Sequence, residues 1–112
     1  MISLEPNSQQ AGVKTVADLC EDPARYVGRI VELEGVFQGW RISGCRLLPS
    51  ASQTITRSDW LIRTGEDCIY VTGGKPDGLD PINTSHIGRW IKLKAKVMQT
   101  HDRKVYLEYI NS

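Results

Sequence analysis

With 112 residues, 40% hydrophobic and 24% charged, the chain has the length and composition of one globular domain, not of a disordered or fibrous segment. Its formal charge of +1 excludes a uniformly basic coat for polyanions. No apolar run reaches the roughly 18 residues of a membrane-spanning helix. The start, MISLEPNSQQAG, has neither a basic n-region nor an apolar h-region. The expectation is a cytoplasmic chain without membrane contact, although an exported chain stripped of its leader would read the same way.

Met1 to Val13 is polar and carries Pro6, Asn7, Ser8 and Gly12. It reads as a mobile tail, so residues 1–14 are set apart from a single domain over 15–112. Thr15 is placed to cap a short helix through Cys20, with Asp18 at the capping-box position. Pro23 opens a second short turn that Gly28 ends. Val16, Leu19, Tyr26 and Val27 are expected to cover one end of the core.

Arg29 to Phe37 alternates: Val31, Leu33 and Phe37 face one way, Glu32 and Glu34 the other. Gly35 lies in mid-strand, where a bulge or sharp bend is expected. Gln38 to Ser58 is irregular, and a connection this long is more often functional than not. Asp59 to Arg63 and Cys68 to Thr72 read as a hairpin about a polar turn with Gly65. Trp60, Ile62, Ile69 and Val71 fall on its inner face and Tyr70 on its outer face. Asp59 is expected to accept backbone N–H groups or to pair with Arg57.

The segment from Gly73 to Gly88 is rich in Gly and Pro and leaves room for one helical turn near Pro81 to Ser85. Arg89 to Met98 is the cleanest alternation in the chain. Ile91, Leu93, Ala95 and Val97 point in; Trp90, Lys92, Lys94 and Lys96 point out. The connector before it is expected to cover Trp90. A turn at Thr100 to Arg103 leads to a last strand, Val105 to Ile110, with Val105, Leu107 and Tyr109 inward.

Cys20, Cys45 and Cys68 form no CxxC pair, so a zinc ribbon or thioredoxin-like site is excluded. Free thiols or small core residues are the first expectation. A Cys45–Cys68 bridge is the sharper alternative, should the loop carrying Cys45 fold onto the hairpin. His86 and His101 are isolated, no P-loop is present, and no carboxylate cluster suggests a metal. The reading is therefore a non-enzymatic chain without cofactor.

One bent strand, a hairpin, a short connector and two further strands make an all-β chain of five strands. The order resembles the OB-fold, a five-stranded Greek-key barrel, here with a short N-terminal helix and a short connector between strands three and four. Three stretches carry the resemblance. Tyr26-Val27-Gly28-Arg29-Ile30-Val31-Glu32-Leu33-Glu34-Gly35 is similar to the Y-x-G-K-x-V-x-V-x-G opening of OB domains. Cys68 to Gly73 is similar to their third strand. Gly88 to Val97 resembles strand four, with Ala95 where glycine is usual. Thr56-Arg57-Ser58-Asp59-Trp60 resembles a stretch found in bacterial and archaeal OB-fold proteins. Anticodon-binding-like OB domains are more distant.

The resemblance implies a binding module, commonly for single-stranded nucleic acid on the face of strands two and three. That places Trp40, Arg41 and Arg46 in the first loop, Arg57, Arg63 and Tyr70 on the hairpin, and His101, Arg103 and Lys104 at the last turn. Aromatic platforms with guanidinium groups suit stacked bases and phosphates. Between Arg89 and Lys104, six basic residues face only Asp102, and Lys92, Lys94 and Lys96 form a second basic stripe or, more plainly, a solvated barrel face. A protein-interaction module and an oligosaccharide or small-ligand binder in an exported chain are the rival readings.

Overall fold

The structure is a computed structural model that describes residues 14–112. The tail read over residues 1–13 lies outside the described residues. Helix α1 (Val16–Glu21) is capped by Thr15, whose hydroxyl accepts the Asp18 N–H at 3.0 Å. Helix α2 (Pro23–Tyr26) starts on its proline. The strands are β1 (Ile30–Gly39), the two-residue β2 (Arg46–Leu47), β3 (Trp60–Thr64), β4 (Asp67–Thr72), β5 (Trp90–Gln99) and β6 (Val105–Asn111). Short 3-10 turns at Ile42–Gly44 and Thr84–His86 complete the order.

Five of these strands close a barrel. β1 pairs antiparallel with β3 and β5, β3 with β4, and β5 with β6. The parallel pair β4–β6 shuts the ring. This is an all-β, OB-like barrel, with strands meeting in the order β1-β3-β4-β6-β5 and back to β1. β1 serves both halves: Ile30 to Val36 faces β5, and Val36 to Gly39 faces β3. The irregularity in β1 falls between Phe37 and Gly39, beyond the Gly35 position expected from the sequence. Gly39 supplies the left-handed backbone that this bulge needs. Gly35 serves another purpose, because a Cβ there would meet the Arg63 carbonyl oxygen at 2.5 Å. Its missing side chain lets β3 cross β1 closely.

Inside the barrel, Val31, Leu33, Phe37, Trp60, Ile62, Ile69, Val71, Leu93, Val97 and Leu107 form one apolar core. The strand alternation predicts these positions, because period two sends every second side chain inward. Phe37 and Trp60 rings lie 5.0 Å apart, and the Trp60 indole N–H donates to the Gly74 carbonyl oxygen at 2.7 Å. Burying a residue of this size contributes about 2–3 kcal/mol. Val16 and Leu19 plug one end, where the Val16 N–H donates to Thr64 Oγ1 at 2.7 Å. Tyr109 is only half buried, packed against this core.

Two sequence expectations change. Trp90 is 66% exposed on the outer face of β5. The 73–88 connector instead packs on the end of β1, with the Trp40 N–H on the Pro81 carbonyl oxygen at 3.3 Å and the Gly88 N–H on that of Phe37 at 2.9 Å. The cysteines are not all free: Cys45 and Cys68 form a disulfide across Cα atoms 5.9 Å apart, leaving only Cys20 free. The loop carrying Cys45 lies on the hairpin, so the alternative pairing holds.

Candidate functional site

The first loop and the outer face of the hairpin build the site together. Three attachments hold the loop. The disulfide joins Cys45 to Cys68 on β4. β2 runs parallel to β4, setting Arg46 opposite Asp67 and Leu47 opposite Cys68. Arg46 also meets the Asp67 carboxylate at 2.8 Å. Beneath the loop, the Gln38 amide donates to the Arg41 carbonyl oxygen and accepts from Arg63 Nε, both at 3.1 Å. Cys68 and Leu61, which alternate outward, are completely buried as a result. Part of the face that an OB-type barrel offers to ligands is thus covered by the chain's own loop.

What stays open is a cleft of about 210 Å³ lined by Trp40, Tyr70, Arg57, Thr54, Thr56 and Asp59. Trp40 is 51% exposed at its rim. Asp59 is only 2% exposed and organises the loop end. Its Oδ2 accepts the backbone N–H groups of Ile55 at 2.5 Å and Thr56 at 2.9 Å, and its Oδ1 accepts the Thr56 hydroxyl at 2.5 Å. Burial alone would raise its pKa. The hydrogen bonds from the Thr56 hydroxyl and from the Thr56 and Ile55 backbones outweigh burial and leave it below the usual carboxylate value. Tyr70 moves the other way: burial, then the Asp59 charge, push its phenol up, so it presents a neutral ring.

A second cleft of about 400 Å³ opens between the same loop and the β5–β6 turn. Leu47, Leu48, Ala51 and Ile55 supply apolar lining, and Thr100, Asp102 and Lys104 supply polar lining. Thr54 lines both clefts, so they adjoin. Arg103 holds φ +64° at that turn, the left-handed region, the sole non-glycine to do so among the described residues.

The sequence-derived residues separate into three sets. Trp40, Arg57 and Tyr70 come together in one cleft. Arg46, Arg63 and Lys104 are committed within the fold: Arg46 to Asp67, Arg63 to Gln38 and the Gly65 carbonyl oxygen, Lys104 to the Pro49 carbonyl oxygen at 2.6 Å. Arg41, His101 and Arg103 are exposed and enter no salt bridge among the described residues. The Lys92, Lys94, Lys96 stripe lies beside acidic side chains on the neighbouring strands. The strand register sets Lys92 opposite Glu34, Lys94 opposite Glu32 and Lys96 opposite Glu108. Thr54, Thr56 and Asp59 are cleft residues that the site reading omitted; the clue was the polar run before Trp60.

Cys45 and Cys68 are bonded to each other, and burial raises the pKa of the Cys20 thiol. His86 accepts the Asp80 N–H at Nδ1, 2.9 Å away, and so staples the connector. No group of three His, Cys, Asp or Glu side chains is placed to hold a metal among the described residues. No family model, curated protein or solved structure matches the chain.

Proposed function

We propose that the chain is a non-catalytic binding module that takes single-stranded nucleic acid across the two adjoining clefts. The observation that carries this reading is the convergence of Trp40, Tyr70 and Arg57 on one open cleft. Two aromatic faces can each stack a base, at about 1–3 kcal/mol per base, while the guanidinium meets a phosphate. Arg41 beside Trp40 and Arg103 at the far turn would extend the path. The resemblance to OB domains supports the same choice of surface, as an analogy only.

The count of uncommitted cations makes the reading quantitative. About three phosphate contacts by Arg41, Arg57 and Arg103 give a slope of log K against log salt near −2. Mixed-sequence DNA and RNA oligonucleotides should quench tryptophan emission with that slope. Trp40→Ala should then weaken binding by roughly 10- to 100-fold. Absence of binding at low salt removes the reading.

The Cys45–Cys68 disulfide favours a second reading, because such bridges persist in oxidising compartments. In an exported chain the same cleft would stack a sugar ring on Trp40, with Thr54, Thr56 and Arg57 as hydrogen-bonding partners. Binding to an oligosaccharide panel would then be insensitive to salt and still lost in Trp40→Ala.

A further inference from the structure

The outer face of β1 and β5 carries the most exposed large apolar side chain among the described residues, Trp90. It does not sit in a loop. It begins a ten-residue strand, and its partner across the ladder is the half-buried Val36. Two side-chain columns run down this face from that pair. The β1 column reads Val36, Glu34, Glu32; the β5 column, at the same heights, reads Trp90, Lys92, Lys94. Within the chain they touch lightly, with Lys92 Nζ 4.0 Å from Glu34 Oε2 and the Trp90 indole N–H on Glu34 Oε1 at 3.3 Å. Those contacts leave the Trp90 ring uncovered.

The two columns are complementary to each other, and that selects the occupant. A second copy turned by 180° about an axis along the strands, midway between the columns, lays each β1 column over the partner's β5 column. Glu34 then meets the partner's Lys92, Glu32 meets the partner's Lys94, and Val36 meets the partner's Trp90. We infer that this face pairs two copies of the chain as an isologous dimer anchored by Trp90. A foreign partner would need its own matched columns, whereas a second copy brings them by symmetry. A barrel face is convex, so the contact is small, below about 1,200 Å², the size class of weak and transient interfaces. This inference does not rest on the nucleic-acid reading, since the two clefts are built from other residues.

The test is molar mass by light scattering and sedimentation from micromolar to millimolar chain. The oxidised chain should pass from monomer to dimer, and Trp90→Ala should move that transition at least 10-fold higher without changing the circular dichroism. Lys92→Glu/Lys94→Glu and Glu32→Lys/Glu34→Lys should each weaken self-association by roughly 100-fold, because like charges then face each other. An equimolar mixture of the two variants should restore a dimer containing one of each. Pairs within a chain remain mismatched in that mixture, so only contact between chains explains the rescue. A monomer throughout the range overturns the inference. So does a dimer that Trp90→Ala leaves unchanged, or a pair of folded charge variants that stay monomeric when mixed. Should a charge variant fail to fold, the Trp90→Ala result decides alone.

Discussion

Reduction of the Cys45–Cys68 bridge should lower the stability of the fold by about 3 kcal/mol. The two cysteines are 23 residues apart in the chain. Closing a loop of that length in the unfolded state removes about 11 cal/mol/K, which is about 3.4 kcal/mol at 25 °C. The native contacts around the bridge stay available, because Arg46 still reaches Asp67 and Gln38 still supports the loop. With a urea slope of about 1.5 kcal/mol/M for a small domain, the unfolding midpoint should fall by about 2 M. Buried Trp60 is the reporter, read by fluorescence with and without reductant, and Cys45→Ala/Cys68→Ala should reproduce the reduced curve. Thiol titration gives a parallel check. The native chain should show no fast-reacting thiol, the unfolded unreduced chain one, from Cys20, and the reduced unfolded chain three. Coincident urea curves, or three thiols without reductant, would refute the reasoning.

Asp59→Asn removes the charge and replaces one of the two acceptor oxygens, which together take three hydrogen bonds, with an NH2 donor, and should cost about 2 kcal/mol at pH 7. The folded pKa of Asp59 is lowered, so its stabilising share is full above the unfolded value of about 3.9 and fades as pH falls through the folded value. The gap between wild type and Asp59→Asn in urea melts should therefore narrow on going from pH 7 to pH 3. Gly35→Ala should destabilise by about 2 kcal/mol or more, because its Cβ would press on the Arg63 carbonyl oxygen; a melt within 0.5 kcal/mol of wild type, about the effect of a neutral surface change, would contradict the close approach. Arg103→Gly should stabilise by about 1 kcal/mol by relieving the positive φ, while weakening oligonucleotide binding and making its salt slope shallower. If both stability and binding fell together, the turn rather than the charge would be at issue.

The barrel was legible because its strands are half buried. Period-two patterns in Arg29 to Phe37 and Arg89 to Met98 place their residues on the faces where the structure has them. The hairpin and the Thr15 cap were readable from local turn and capping chemistry, and the single turn expected near Pro81 to Ser85 falls slightly later, at Thr84–His86. Features that depend on distant pairings were not. The Lys92 and Lys94 stripe looks basic along β5, and only the β1–β5 register reveals Glu34 and Glu32 opposite it. The disulfide follows from where one loop lands, which spacing alone does not encode. Trp90 is instructive, because its alternation points it outward and the expectation of a covering connector set that signal aside. The two-residue β2 has no periodicity to detect, and Leu61 looks like a surface position until the loop lies over it.

The way β1 is shared has a consequence for how the chain folds. The hairpins β3–β4 and β5–β6 join neighbours in sequence and can form early, whereas β1 must find β5 across most of the domain. That search carries a large loop-closure entropy and comes before any reward from the shared core. Closure of the β1–β5 seam should thus limit the folding rate, in the millisecond-to-second range typical of barrels. Substitutions at Val31 and Leu33 in the seam, and at the Gly65 turn of the early β3–β4 hairpin, would therefore slow folding more than they speed unfolding.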